Sequence, residues 1–210
     1  MNIGEAREFM KEYFEKLYKK LENEKPILLK LPDLPEEMTV EGTTDGDGWA
    51  VWKLIPSTVT DEDIANEEEG FGVKFPVLLK AYLSTYHHGF DVLGFNYPGE
   101  PFEALDNAFN PHLADNDYLP FAWDEDRYFI RCIDLRANSD GDQCPVVQFD
   151  HEELLDMLYE YEDNNEAVPR EVLEKLAEQI APSLKDYLNN ILDDDNEYIK
   201  IPEFDKFGDL

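Results

Sequence analysis

The sequence has little cysteine and no long apolar segment. Its 210 residues include two cysteines, Cys132 and Cys144, which are too far apart for a CxxC motif. Two isolated thiols are typical of small buried residues in a reducing compartment, not of a disulfide scaffold. No apolar run approaches the roughly 18–20 residues of a membrane span, and the first residues, MNIGEAREFM, have no signal-peptide core. We therefore expect a cytoplasmic protein that does not enter the membrane and whose cysteines are free thiols.

Basic residues are also scarce. The chain has 18 lysines and arginines against 49 aspartates and glutamates, which gives a formal net charge of −31. This charge excludes the usual electrostatics of nucleic-acid binding, because a phosphate backbone requires a basic surface. Two interpretations of the acidity stay open: it keeps the protein soluble, or it attracts a basic protein partner.

The common catalytic motifs are absent. The sequence contains no GxSxG, GxGxxG or GxxxxGK[ST], and neither cysteine lies in a basic cluster. The loop that begins at Asn138 resembles a calcium-binding EF-hand loop, but Gln143 replaces its required glycine and Phe149 its final glutamate. We therefore expect no catalytic, cofactor-binding or metal-binding residues. The least favoured alternative is a metal-dependent hydrolase, with the plausible ligands His87, His88, Asp91 and His112.

The hydrophobic pattern divides the chain into three parts. Residues 1–48 are predicted to form an amphipathic helix and a loop, as an extension that packs on the main domain. Residues 49–192 are predicted to form that domain, and residues 193–210 an acidic tail. The N-terminal helix is expected over 2–24, with Asn2 and Glu5 as its capping box.

Both helices and strands are predicted in the main domain. A strand over 49–56 precedes helices from Thr60 to Gly70 and from Pro76 to Gly89. Residues 90–150 have the pattern of strands and loops, including a hairpin with one cysteine on each arm. Its strands are expected at 128–135 and 145–149. After it, Asp150 is expected to cap one helix, and Pro169 to begin another that ends at about residue 192.

Several short motifs follow the order found in a known family. They are Gly72 with Phe75 and Pro76, then Leu119-Pro120-Phe121, Ile133-Asp134-Leu135, and Pro145-Val146-Val147 with Asp150-His151. In this order and spacing, residues 50–160 resemble the SUKH superfamily, the Smi/Knr-type domain. The resemblance implies an α+β fold in which a mixed, mostly antiparallel sheet packs against helices. The N-terminal helical extension and the C-terminal helices are expected to add to it.

The resemblance also implies a binding protein without catalysis. Many bacterial members look like immunity proteins, which bind and neutralise a cognate toxin, often a nuclease. Fungal relatives are regulatory or scaffold proteins, which is the alternative function. Because a nuclease needs a basic cleft for phosphate, the expected partner is a basic protein, and neither nucleic acid nor membrane is expected. The candidate partner contacts are acidic: Glu67, Glu68, Glu69, Asp124, Glu125 and Asp126.

Overall fold

The fold begins with a long amphipathic helix, α1 (Ile3–Glu24). Its capping box forms as predicted: the Asn2 side chain accepts a hydrogen bond from the Glu5 N–H, and the Glu5 carboxylate accepts one from the Asn2 N–H. The buried face of α1 includes Phe14 and Leu17, both fully inaccessible to solvent. The structure is a computed structural model that describes residues 1–90, 94–124, 126–137, 143–164 and 166–193.

Two small antiparallel sheets follow α1. They pair β1 (Lys30–Pro32) with β2 (Trp49–Val51), and β3 (Ile55–Pro56) with β4 (Tyr86–His87). The prediction of one strand over 49–56 is therefore wrong, because the segment divides between two sheets. Trp52 lies at the division and is fully buried, with its ring packed edge-to-face against Tyr18 of α1 at a centroid distance of 5.0 Å.

The next two helices differ from the prediction at their C-terminal ends. Helix α2 (Asp61–Phe71) continues through Gly70 and ends at Gly72, whose φ of 69° lies in the left-handed region that favours glycine. Helix α3 (Val77–Thr85) ends four residues before Gly89, because Tyr86 and His87 are extended and form β4.

Two short helices occupy a region that the sequence analysis assigned to strands and loops. They are α4 (Glu103–Ala108) and α5 (Pro111–Ala114). Asn110 caps α5 by accepting a hydrogen bond from the Leu113 N–H. Both helices are too short to show a clear helical period in the sequence.

The main sheet has four strands in sequential order, and all of its pairings are antiparallel. Its strands are β5 (Tyr118–Trp123), β6 (Phe129–Asp134), β7 (Val146–Asp150) and β8 (Glu178–Ala181). The predicted hairpin is confirmed as β6 and β7, with Cys132 in β6 and Cys144 two residues before β7. Both cysteines are free and buried.

The helices of the C-terminal part are α6 (His151–Asp163), α7 (Arg170–Leu176) and α8 (Leu184–Asp193). Asp150 caps α6 as predicted, because its carboxylate accepts hydrogen bonds from the N–H groups of Glu152 and Glu153. The single helix predicted from Pro169 to about residue 192 is wrong, since β8 separates α7 from α8. The residue that precedes a proline avoids the helical conformation, and Ala181 precedes Pro182.

The four-stranded sheet has an apolar cluster on each side. The larger one joins α1, α3 and α8 to Leu119, Ile133 and Val146 of the sheet. The smaller one joins α6 and α7 to Cys132 and Phe149. The α+β prediction is confirmed, while the domain boundaries at residues 48 and 192 stay predictions. The predicted acidic tail lies outside the described residues from position 194 onward.

Candidate functional site

The three acidic candidates on α2 differ in their surroundings. The side chain of Glu68 is only 4% exposed, and its carboxylate lies 2.8 Å from the Lys74 ammonium and 2.6 Å from that of Lys80. It also accepts a hydrogen bond from the Phe75 N–H at 2.8 Å. Burial by itself raises the pKa of Glu68, but these hydrogen bonds outweigh it and hold that pKa below its usual value. Glu68 therefore stabilises the turn into α3, which corrects the expectation that it lies open to a partner.

Glu67 and Glu69 remain on the surface of α2. Glu69 is exposed, whereas Glu67 is half-buried near Asp106 of α4. Burial raises the pKa of Glu67, and the negative charges of Asp106 and Asp63 raise it further. Burial also raises the pKa of Asp106. This part of the surface therefore holds carboxylates that repel one another.

The acidic candidates at the turn between β5 and β6 also divide between structural and exposed positions. Asp124 accepts a hydrogen bond from the Phe129 N–H at 2.7 Å and therefore closes the hairpin. Asp126 is exposed, and Glu125 lies outside the described residues. The turn also brings the Tyr128 side chain to the surface, where it is 60% exposed.

Helix α4 lies between these two groups of candidates. On one side, the ring of Phe109, at the end of α4, packs against Phe71 of α2 at a centroid distance of 4.7 Å. On the other side, the indole N–H of Trp123, at the end of β5, donates to the Asn107 carbonyl at 2.9 Å. The structure thus links the α2 and hairpin groups, which are more than fifty residues apart in sequence, through one short helix.

The histidines that the hydrolase alternative names as metal ligands contact other protein groups instead. His87 is fully buried: its Nδ1 donates to the Asn96 side-chain oxygen at 2.7 Å, and its Nε2 accepts from the Thr58 N–H at 2.9 Å. His88 is fully buried as well, with its ring 4.8 Å from that of Phe14. Burial, with a smaller effect from His87, lowers the pKa of His88 to about 3.

No metal site is assembled from these side chains in the part of the chain that the structure describes. His112 instead lies 3.3 Å from Glu162, and Asp91 falls outside the described residues. Among the described residues, no three His, Cys, Asp or Glu side chains are placed so that they could hold a metal ion together. In the same residues, no helix has both the length and the apolar character to cross a membrane.

The sequence analysis missed the aromatic side chains of this surface. Phe109 and Tyr128 were assigned no role, because apolar residues are normally expected in a core. Asn107 and Asn110 on either side of Phe109 are the one sequence signal of its exposure, since asparagine favours helix ends and turns.

The described residues form an α+β domain with aromatic and acidic groups at its surface. The family comparison identifies it further: the model of the SMI1 / KNR4 family (SUKH-1) matches residues 58–190. The chain therefore belongs to this family, and the match extends about thirty residues beyond the segment in which the motifs were recognised. Neither the curated proteins nor the solved structures contain a match to the chain. Helix α1 precedes the matched residues.

Proposed function

We propose that this chain is a non-catalytic immunity protein that binds a basic toxin domain in the cytoplasm and neutralises it. The observation that carries the proposal is a net charge of −31 on a chain that belongs to the SMI1 / KNR4 family (SUKH-1). A nuclease is the toxin class that fits this charge best, because its substrate site is a basic cleft that holds phosphates. An acidic protein can occupy such a cleft in place of nucleic acid.

The burial of His87, His88 and Glu68 supports binding over catalysis. His87 and His88 are enclosed in the core, so neither can reach a substrate without unfolding of the surrounding elements. Glu68 is neutralised by two lysines within the fold. The acids left at the surface, among them Glu67, Glu69 and Asp126, are suited to attract cations.

Co-expression with any basic toxin domain that a neighbouring gene encodes tests the proposal. We expect the chain to restore growth to cells that produce the toxin, and the purified proteins to form a stable complex. Because opposite charges contribute to association, the Kd should rise by about tenfold or more between about 50 mM and about 500 mM NaCl. Nuclease activity of the toxin should fall in proportion to the fraction bound.

Three results would contradict the proposal. Growth that the chain does not restore, together with no complex at low salt, would leave a regulatory or scaffold protein of the same family as the better description. A Kd that does not change with salt would show that the acidity does not guide binding. A metal-dependent hydrolytic activity in the purified chain, abolished by a chelator, would replace binding with catalysis.

A further inference from the structure

We propose that the partner docks on one continuous surface across α4, and that this surface takes an arginine-bearing segment of a basic protein. The inference rests on the proposed function and adds the location and chemistry of the contact. We call this the α4 surface. Its residues are Glu67, Asp106, Phe109, Trp123, Asp126 and Tyr128.

The α4 surface contains two exposed aromatic rings. Phe109 is 40% exposed and Tyr128 is 60% exposed, although both are large apolar side chains. Aromatic residues on a surface are the side chains that most often carry the binding energy of a protein interface, because they bury a large area at little cost in conformational entropy. Their presence beside carboxylates therefore favours a docking site over a merely solvated region.

A series of contacts connects the two segments that carry the exposed rings. Phe109 belongs to the same short segment as Asn107, whose carbonyl accepts the Trp123 indole N–H. The Trp123 ring packs edge-to-face on His151 at a centroid distance of 4.9 Å. The His151 N–H in turn donates to the Tyr128 carbonyl at 2.8 Å. Hydrogen bonds therefore fix the backbone segments that carry the two rings, which lowers the entropy lost when a partner binds.

The carboxylates of the α4 surface select the charge of the partner. Glu67 and Asp106 lie near each other, and no lysine or arginine forms an ion pair with either of them in the described structure. A cation placed between them relieves their repulsion and so gains more than it would beside an isolated acid. Asp126 provides a further negative charge at the other end of the surface.

Arginine fits this combination better than lysine. Its planar guanidinium stacks on aromatic faces and still donates hydrogen bonds to carboxylates at its edge. A lysine ammonium is more strongly hydrated, and its contact with a carboxylate leaves the rings largely unused. The α4 surface offers both kinds of group on α2, α4 and the β5–β6 hairpin, so the expected partner segment contains arginine next to apolar residues.

Two pairs of matched variants test the location. Asp106→Asn with Asp126→Asn removes two charges from the α4 surface, and Glu36→Gln with Glu37→Gln removes two exposed charges from the N-terminal segment. Tyr128→Ser removes an exposed ring, and Ile27→Ser removes a side chain that is similarly exposed elsewhere. Phe109 is left intact because its ring supports Phe71. All four variants should keep the wild-type unfolding temperature.

Binding of the neighbouring toxin domain is the first readout. We expect the Asp106/Asp126 and Tyr128 variants each to weaken the Kd by about tenfold, and the two control variants to change it by less than about twofold. If all four variants bind like the wild type, or if only the control variants bind more weakly, the α4 surface is not the docking site. The proposed function is unaffected by that result.

A peptide probe tests the surface without the toxin. An arginine-rich peptide of about twelve residues with a central leucine is titrated into the labelled chain, and backbone and indole NMR shifts are followed. The surface predicts shifts concentrated between residues 103 and 128, including the Trp123 indole, and weaker ones with a lysine-rich peptide. If the toxin domain does not bind, the proposed function fails. The peptide titration alone then tests whether the α4 surface binds arginine. Shifts spread evenly over the acidic surface, or centred on Glu36 and Glu37, overturn the inference.

Discussion

The carboxylate of Glu68 lies 2.6 Å from the ammonium of Lys80 and so joins a buried acid on α2 to α3. The same carboxylate accepts the Phe75 N–H, in the turn between the two helices. This turn contains the Gly72, Phe75 and Pro76 motif by which the family was recognised. The acid that precedes the motif is therefore part of the same structural unit.

Replacement of Glu68 by alanine should destabilise the fold. The change leaves Lys80 and the Phe75 N–H without their acceptor in a largely buried position, and we expect the free energy of unfolding to fall by about 2–3 kcal/mol. Glu69→Ala is the matched control, because Glu69 is exposed on the next position of α2, and its effect should stay within about 0.5 kcal/mol. Urea unfolding of both variants measures the difference. Equal free energies of unfolding for the two variants would show that the contacts of Glu68 do not stabilise the fold.

His88 should make the fold sensitive to acid. Its pKa is lowered from 6.5 to about 3 in the folded chain, so below pH 6.5 the unfolded chain binds a proton that the folded chain does not. The resulting stability is complete above pH 6.5 and is lost as the pH falls toward 3. The slope approaches about 1.4 kcal/mol per pH unit between these limits.

The variant His88→Leu isolates this contribution. It removes the titrating ring from the core, so its stability should fall less steeply than that of the wild type between about pH 6 and pH 4. His112→Gln is the control, because it removes an imidazole from a half-exposed position beside Glu162. Urea unfolding at a series of pH values gives the slopes. If the stability of His88→Leu fell with pH as steeply as that of the wild type, His88 would not be the source of the acid sensitivity.

The sequence predicts the features of this fold that depend on local chemistry. The caps at Asn2 and Asp150 formed as expected, because a side-chain oxygen next to a helical pattern has one favourable arrangement. The hairpin of β6 and β7 was predictable from the strand-like pattern of its two arms. The break before Pro182 was also readable from the sequence, but the apolar period across it suggested a continuous helix.

The candidate surface was less predictable, because it depends on contacts between distant residues. Three consecutive glutamates, Glu67, Glu68 and Glu69, cannot be told apart by the sequence. Contacts with Lys80 of α3 and with the turn before it distinguish Glu68 in the fold. Likewise, Phe109 is an apolar residue whose exposure follows from where α4 sits against Phe71. Partners that are far apart in the chain therefore decide which acids and rings reach the surface.

The two cysteines should resist modification in the folded chain. Burial, together with the negative charge of Asp134, raises the pKa of the Cys132 thiol well above its usual value, and Cys144 is buried as well. We expect no labelling by a thiol reagent under native conditions at pH 8 and two labels per chain in denaturant. Mass spectrometry without reductant measures both. Rapid native labelling, or a loss of two hydrogens that indicates a disulfide, would contradict this expectation.

Phe14 should be as important to stability as any residue within the family match, although α1 precedes that match. Its ring is fully buried and contacts Tyr82, His88 and Phe90 at centroid distances of 5.6, 4.8 and 6.0 Å. These partners belong to α3 and the segment that follows it, so α1 fills a gap in the core of the matched region.

Phe14→Ala should therefore lower the free energy of unfolding by about 3–5 kcal/mol, because it removes a buried ring and leaves a cavity. The control Ile3→Ala changes a more exposed side chain of the same helix and should cost less than about 1 kcal/mol. Urea unfolding followed by tryptophan fluorescence, to which buried Trp52 contributes with Trp49 and Trp123, measures both variants. An unchanged unfolding midpoint for Phe14→Ala would mean that residues 58–190 hold their core without α1, and that the helix is an accessory to the family fold.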